Sequence, residues 1–211
     1  VYDNADLAAL IQLNPLVRGF MPWNAGTLKP SAMSFILQQV VLFNLRSAVE
    51  CGSGISTVFL ASSLRSIGGR LICIEHDPAW IERTRSLLAS ERLSEHVELV
   101  HAPLEQMRVG DSEVMWYARA SIERLLDSPI DLLLVDGPPA QDPRHRTDRY
   151  PAAGFFRPAL HTDSLVVLDD VSRSGEAEIV KRWEAEQGLR LRTFEALRLA
   201  AGRLGRVGLL Y

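Results

Sequence analysis

Short apolar runs recur along this chain, each closed by an acid or a turn-forming residue, and segments of helical spacing lie between them. The runs at 47–49, 70–75, 97–101, 130–135 and 164–168 read as strands, rich in Val, Leu and Ile. The segments 56–66, 78–90, 113–127 and 175–187 read as the helices between them, the second with Asp77 as its cap and Pro78 in its first position. The helix predicted at 113–127 carries Trp116 and Tyr117 in its first turns. Two helices precede the first strand. One spans 5–19 and is broken near Pro15; the other spans 30–45, opens at Pro30-Ser31 and is apolar through Phe35, Ile36, Val40 and Phe43. An irregular stretch with exposed aromatics, 20–26, joins them, and strands near 189–197 and 206–211 form a closing antiparallel hairpin around Gly202 and Gly205. Strand–helix alternation of this kind predicts an α/β fold: a doubly wound parallel sheet with helices on both faces and right-handed crossovers. No repeat or linker interrupts it, so residues 1–211 are expected to be a single domain with 1–46 as a helical amino-terminal cap.

Composition narrows the partners more than the fold. A chain of 211 residues can bury a large core, and a net charge of −3 gives no electrostatic reason to expect nucleic acid. Gln38, Gln39 and Asn44 interrupt the longest apolar stretch well short of the ~20 residues a membrane span needs. No signal peptide is visible, and Cys51 and Cys73 read as small buried thiols, so the expected setting is the cytoplasm. A small-molecule partner fits, with no nucleic acid and no membrane; a homo-oligomer is compatible.

The chemistry concentrates at the strand ends. The first strand runs into Glu50, then Cys51-Gly52-Ser53-Gly54-Ile55-Ser56-Thr57, and the second ends in Glu75. Gly52 and Gly54 let a ligand approach the backbone, and the amides of the following helix face any anionic group there. Glu75, one βα unit later, is placed to accept both hydroxyl protons of a ribose, which describes a nucleoside-cofactor pocket at the switch point of a parallel sheet. A dinucleotide fingerprint wants a small third residue where Thr57 stands. Glu50 would repel a pyrophosphate but suits the cationic amino acid of S-adenosylmethionine. Two more strands end in acids, Val135-Asp136-Gly137-Pro138-Pro139 and Leu168-Asp169-Asp170.

With these motifs in order, together with Glu75-His76-Asp77-Pro78 and Arg149-Tyr150-Pro151, residues 20–211 resemble the class I S-adenosylmethionine-dependent methyltransferases. The likeness is to the small-molecule O-methyltransferase branch that includes catechol O-methyltransferase-like enzymes. The resemblance implies a Rossmann-like seven-stranded sheet in the order 3-2-1-4-5-7-6 with strand 7 antiparallel. It also implies methylation of a small-molecule hydroxyl, such as that of a sugar, polyketide or phenol. The cofactor residues it points to are Glu50, Gly52, Ser53, Gly54, Ser56, Thr57, Glu75, His76, Pro103, Leu104 and Asp136.

Each candidate has a plainer reading beside it. Ser56 serves equally as a helix cap, His76 as a loop histidine, and Pro103 and Leu104 as packing rather than adenine contacts. Asp136, Asp169 and Asp170 converge if the fourth and fifth strands are neighbours, and clustered acids need a cation or protons between them. Oxygen-only donors suit Mg²⁺ or another divalent cation, and the resemblance implies that these positions hold one. The base is open: catechol O-methyltransferase has a lysine where this chain reads Gly137-Pro138-Pro139, which leaves His145, on the loop 141–150, a metal that alone makes the hydroxyl acidic enough, or Asp136 in a metal-free site. That loop, with Arg144, His145, Arg146 and Arg149, is either a lid for an acidic substrate or a solvated run of charge. Rival functions are a nicotinamide oxidoreductase, an aminopropyl transferase and a catalytically silent cofactor-binding subunit.

Overall fold

The structure, a computed structural model, describes residues 2–24, 26–110 and 112–205. Helices α1 (Asn4–Leu13) and α2 (Pro30–Leu42) precede strand β1 (Ser47–Cys51), helix α3 (Ile55–Ser66), strand β2 (Arg70–Glu75), helix α4 (Pro78–Ser90) and strand β3 (Val97–His101). There follow β4 (Leu104–Val109), β5 (Ser112–Tyr117), α5 (Arg119–Ile122), β6 (Ile130–Val135), α6 (Pro151–Phe156), β7 (Leu160–Leu168), α7 (Ser174–Gln187), β8 (Leu189–Phe194) and β9 (Leu199–Leu204). The main sheet has the order β3-β2-β1-β6-β7-β9-β8, and β4 and β5 form a separate two-stranded ribbon. β3, β2, β1, β6 and β7 run parallel; β9 is antiparallel to both β7 and β8.

Strand β6, at the centre of the sheet, is apolar on both faces because both are covered. Along β6, Leu133 and Val135 pack with Ile122, Phe156 and Trp183 of α5, α6 and α7. Leu132 and Leu134 pack on the opposite side with Met33, Ile36 and Phe59 of α2 and α3. The amino-terminal helices are locked by a buried acid: Asp6 Oδ1 accepts from the Ser31 hydroxyl at 2.6 Å, and its other oxygen pairs with Lys29 at 3.2 Å. Among the described residues, no helix is long and apolar enough to cross a membrane.

Several expectations need correction. The predicted helix at 113–127 is replaced by the β4–β5 ribbon, and helical turns occupy only 119–127. Its β-forming residues pair across the ribbon, Leu104 opposite Tyr117 and Met107 opposite Val114, and the amide of Met115 is held by Asp148 Oδ1 at 3.1 Å. This ribbon, inserted before β6, shifts the numbering of the main sheet by two, so the antiparallel strand is β9. The closing hairpin also lies earlier than expected. It turns at Glu195–Leu197 and Arg198, while the predicted strand 206–211 is outside the described residues. Gly202 is not a turn residue: it sits within β9, where a Cβ would fall 1.8 Å from the Arg190 carbonyl oxygen. Finally, β7 starts at Leu160, four residues before 164, and α6 stands in a region where no helix was anticipated.

Candidate functional site

Parallel register builds the site. Cys51 lies beside Ile74 and Val135, and Val135 beside Leu168, so the strands end at one level. The ladder continues one residue further: the amides of Gly52, Asp136 and Asp169 donate to Ile74, Cys51 and Val135 at 2.9, 3.0 and 3.1 Å. Gly52, Glu75, Asp136 and Asp169 are thereby brought to a single edge of the sheet. Gly52 has φ +89°, and a Cβ there would lie 3.1–3.2 Å from the backbone of Asp136 and Gly137, so both conformation and space call for glycine.

Glu50 is fully buried. One oxygen accepts from the Thr57 hydroxyl at 2.7 Å, and that hydroxyl accepts from the Gly54 amide at 3.0 Å. The carboxylate therefore holds the glycine turn through Thr57. Its other oxygen has no hydrogen-bond partner among the described residues, and burial pushes its pKa up to about 7.

Glu75 is crowded with donors. Oε1 accepts from the amides of His76 (2.7 Å) and Asp77 (3.0 Å) and faces His76 Nδ1 at 2.8 Å; Oε2 accepts from the Ser53 amide (2.9 Å) and hydroxyl (3.0 Å). A carboxylate offers about four lone-pair sites. A diol can bind here only as side-chain donors leave. The Ser53 hydroxyl has an alternative partner in Thr84 Oγ1, 3.1 Å away, and the His76 ring is partly exposed.

The three strand-end acids do converge, with ligand-type oxygens all within 4.8 Å of one another. Arg149 reaches into them and is 2% exposed. Its Nη2 donates to the Asp136 carbonyl (2.8 Å) and Oδ1 (3.3 Å), its Nη1 to Asp170 Oδ2 (3.4 Å), and its Nε to the Pro138 carbonyl (3.1 Å). Arg173 and Arg198 bind the same Asp170 at 2.7 and 2.8 Å, and Asp170 itself takes the left-handed conformation, φ 62°. Burial raises the pKa of both Asp136 and Asp169; neighbouring carboxylates add to this, and Arg149 opposes it. An ion placed among these oxygens would lie against the fixed positive charge of Arg149, which already holds the Asp136 and Asp170 carboxylates, so the donors suit a divalent ion by type but do not fit one with Arg149 in place.

Two cavities adjoin this edge. One, about 310 Å³, is lined by Gly52, Glu75, His76, Tyr117, Asp136 and Arg149 among others. The second, about 480 Å³ and largely apolar, lies over the start of α3 against α4 and the 22–28 segment, lined by Gly54, Ser56, Leu28, Trp80, Arg83 and Leu87. Ser53, Trp80 and Asp136 border both. The Trp80 indole N–H donates to the Ser53 carbonyl, which ties together two of the residues that border both.

Pro103, Leu104 and His145 line neither cavity. Leu104 opens β4, and His145 Nδ1 sits 3.0 Å from Asp148. Tyr117, by contrast, lines the smaller cavity and is 1% exposed, its hydroxyl without a hydrogen-bond partner among the described residues. Sequence reasoning missed Tyr117 and Trp80; the continuous apolar run Val114-Met115-Trp116-Tyr117 is as compatible with a helix as with a strand, so it carried no signal for the first.

A family model described as "Methyltransferase domain" matches residues 49–171, which include the whole glycine turn and the three acids. No curated sequence matches the chain significantly. Among solved structures, a methyltransferase from Podospora anserina bound to SAH superposes with a TM-score of 0.65 at 11% identity, over 97% of this chain and 89% of that one. An O-methyltransferase from Bacillus cereus in complex with SAH gives 0.62 at 19% identity, over 96% and 92%. An O-methyltransferase from Streptomyces achromogenes, involved in tomaymycin synthesis and complexed with SAM, gives 0.61 at 18% identity, over 97% and 92%. At these identities the structures speak to the fold.

Proposed function

The chain belongs to the methyltransferase-domain family, and on that premise we propose that it transfers the methyl group of S-adenosylmethionine to a hydroxyl of a small molecule. The observation that carries this reading is the level row of strand ends, which sets a glycine turn, Glu75 and Asp136 around one cavity. When bound, S-adenosylmethionine supplies an electrophilic methyl on a sulfonium, and its departure leaves a neutral thioether. The protein's share is positioning, worth up to ~7–11 kcal/mol when the reacting atoms are aligned. Glu75 accepts the ribose hydroxyls as Ser53 turns to Thr84, and the glycine turn, held by Glu50 through Thr57, presents its amides to the amino-acid end.

Asp136 borders both cavities, so its carboxylate meets an acceptor hydroxyl and takes its proton as the oxygen attacks. His145, tied to Asp148 away from both cavities, has no part in that transfer. A nicotinamide enzyme would use the same glycine turn and Glu75, and ligand choice separates the two. Calorimetry and thermal shift with S-adenosylmethionine, S-adenosylhomocysteine (SAH) and NAD should show binding and stabilisation by the first two alone. Labelled S-adenosylmethionine then reports transfer to phenol, sugar and polyketide hydroxyls. Stabilisation by NAD and by neither adenosyl compound would overturn the reading.

A further inference from the structure

We propose that Arg149 takes the place of a divalent ion in this site, clamping the ends of β6 and β7 so that methyl transfer needs no metal and accepts a lone hydroxyl. The inference rests on the methyltransferase reading above. It starts from what the guanidinium touches: carbonyl oxygens of Asp136, Pro138 and Asp169 at 2.8, 3.1 and 3.5 Å, and carboxylate oxygens of Asp136 and Asp170 at 3.3 and 3.4 Å. A planar fork of five N–H donors reaches backbone and side chains of both strand ends together, whereas an ion draws only on the oxygens that close around it.

The charge balance agrees. Four carboxylates, Asp136, Asp169, Asp170 and Glu176, gather against three guanidinium groups, those of Arg149, Arg173 and Arg198. Even fully ionised, the four acids leave a single negative charge over, and the burial that favours protonated Asp136, Asp169 and Glu176 reduces it further. A divalent ion would reverse its sign inside a site where Arg149 is nearly unexposed, and uncompensated buried charge is costly. Glu176 strengthens the case: it is fully buried, neither oxygen has a hydrogen-bond partner among the described residues, and Arg149 and Arg173 lie 3.6 and 3.7 Å from it. It serves as counter-charge to the arginines rather than as a ligand.

The consequence concerns the acceptor. An ion rewards a substrate that offers two adjacent oxygens, because chelation orients both. With Arg149 in place, an acceptor's single hydroxyl meets the Asp136 carboxylate directly, so a vicinal diol brings no advantage. Arg149 is on this account a positioning residue, acting through the strand ends it holds.

The test needs no acceptor. The full chain is titrated with Mn²⁺ and followed by the electron paramagnetic resonance of the free ion, while SAH binding is measured by calorimetry with either EDTA or Mn²⁺ present. The wild-type chain should leave the Mn²⁺ signal unchanged and bind SAH equally in both conditions. Arg149→Ala, which uncovers the Asp136 carboxylate and leaves two guanidinium groups against the four acids, should sequester Mn²⁺. Arg149→Lys, which keeps the charge, should stay silent and stands in if the alanine variant fails to fold. Capture of one Mn²⁺ per wild-type chain, or SAH binding that requires the ion, overturns the proposal. Failure of the wild-type chain to bind SAH in either condition instead overturns the methyltransferase reading, and the calorimeter reports it separately from the Mn²⁺ signal.

Discussion

Single side chains at the strand ends set what this site can hold. Glu75 and Ser53 make opposite predictions. Glu75→Ala deletes charge-assisted bonds worth ~1.5–3 kcal/mol, so affinity for SAH should fall about ten- to a hundredfold. Ser53→Ala removes a donor that competes for Glu75 Oε2, so calorimetry should find SAH bound at least as tightly as by the wild type. A large loss in Ser53→Ala would mean that the hydroxyl itself holds the ligand. The proton path divides in the same way. Asp136→Asn should lower turnover by ~10²–10⁴-fold, whereas His145→Ala should leave kcat and its pH profile near wild type. The reverse pattern would restore His145 as the base. Glu50, Glu75 and Asp77 were legible in the sequence because each sits at a fixed offset from a strand end. Arg149 was not, because a chain position in a basic loop says nothing about direction. Arg144 and Arg146 reach outward to Asp142 and Glu178, while Arg149, on the same loop, turns in.

At the scale of elements, most boundaries follow from local chemistry, and the misses share a cause. The α4 start was fixed by Asp77, whose Oδ1 accepts from the Ala79 amide at 2.8 Å, and by Pro78, which has no amide to satisfy. The ribbon β4–β5 escaped because its pairing partner is another segment, so its residues carried no local signal of their own. Gly202 misled for a related reason: glycine marks turns, but here it lets β8 pass close to β9. Gly202→Ala should therefore cost about 1–3 kcal/mol through forced displacement of the Arg190 backbone, read as a lower midpoint in urea. An unchanged midpoint would show that the strand pair can part without penalty.

For the whole molecule, two apolar clusters on opposite faces of one sheet make stability a property of all three layers, and buried carboxylates tie that stability to pH. Glu50 has its pKa raised from 4.5 to about 7 in the folded chain, so folding favours its protonated form. Its contribution is fully present below about pH 4.5 and is lost as pH rises through about 7; Asp136 shifts in the same direction. The carboxylates shifted the other way, Asp3, Asp6 and Asp142, lose their contribution only at more acid pH. The melting temperature of the apo chain should accordingly fall between about pH 5 and pH 8, and Glu50→Gln, neutral throughout, should flatten that slope. Parallel calorimetric profiles for the two proteins would remove Glu50 as the cause. By itself the sequence determined the βα alternation, the strand ends and the acids they carry, since each depends on residues adjacent in the chain and on periods of two or 3.6. Only the tertiary structure decided what lies between those acids. Sheet register brings Asp136, Asp169 and Asp170 together, and the accumulated negative charge is met by guanidinium groups from three separate segments, a pairing set by distance in space rather than along the chain.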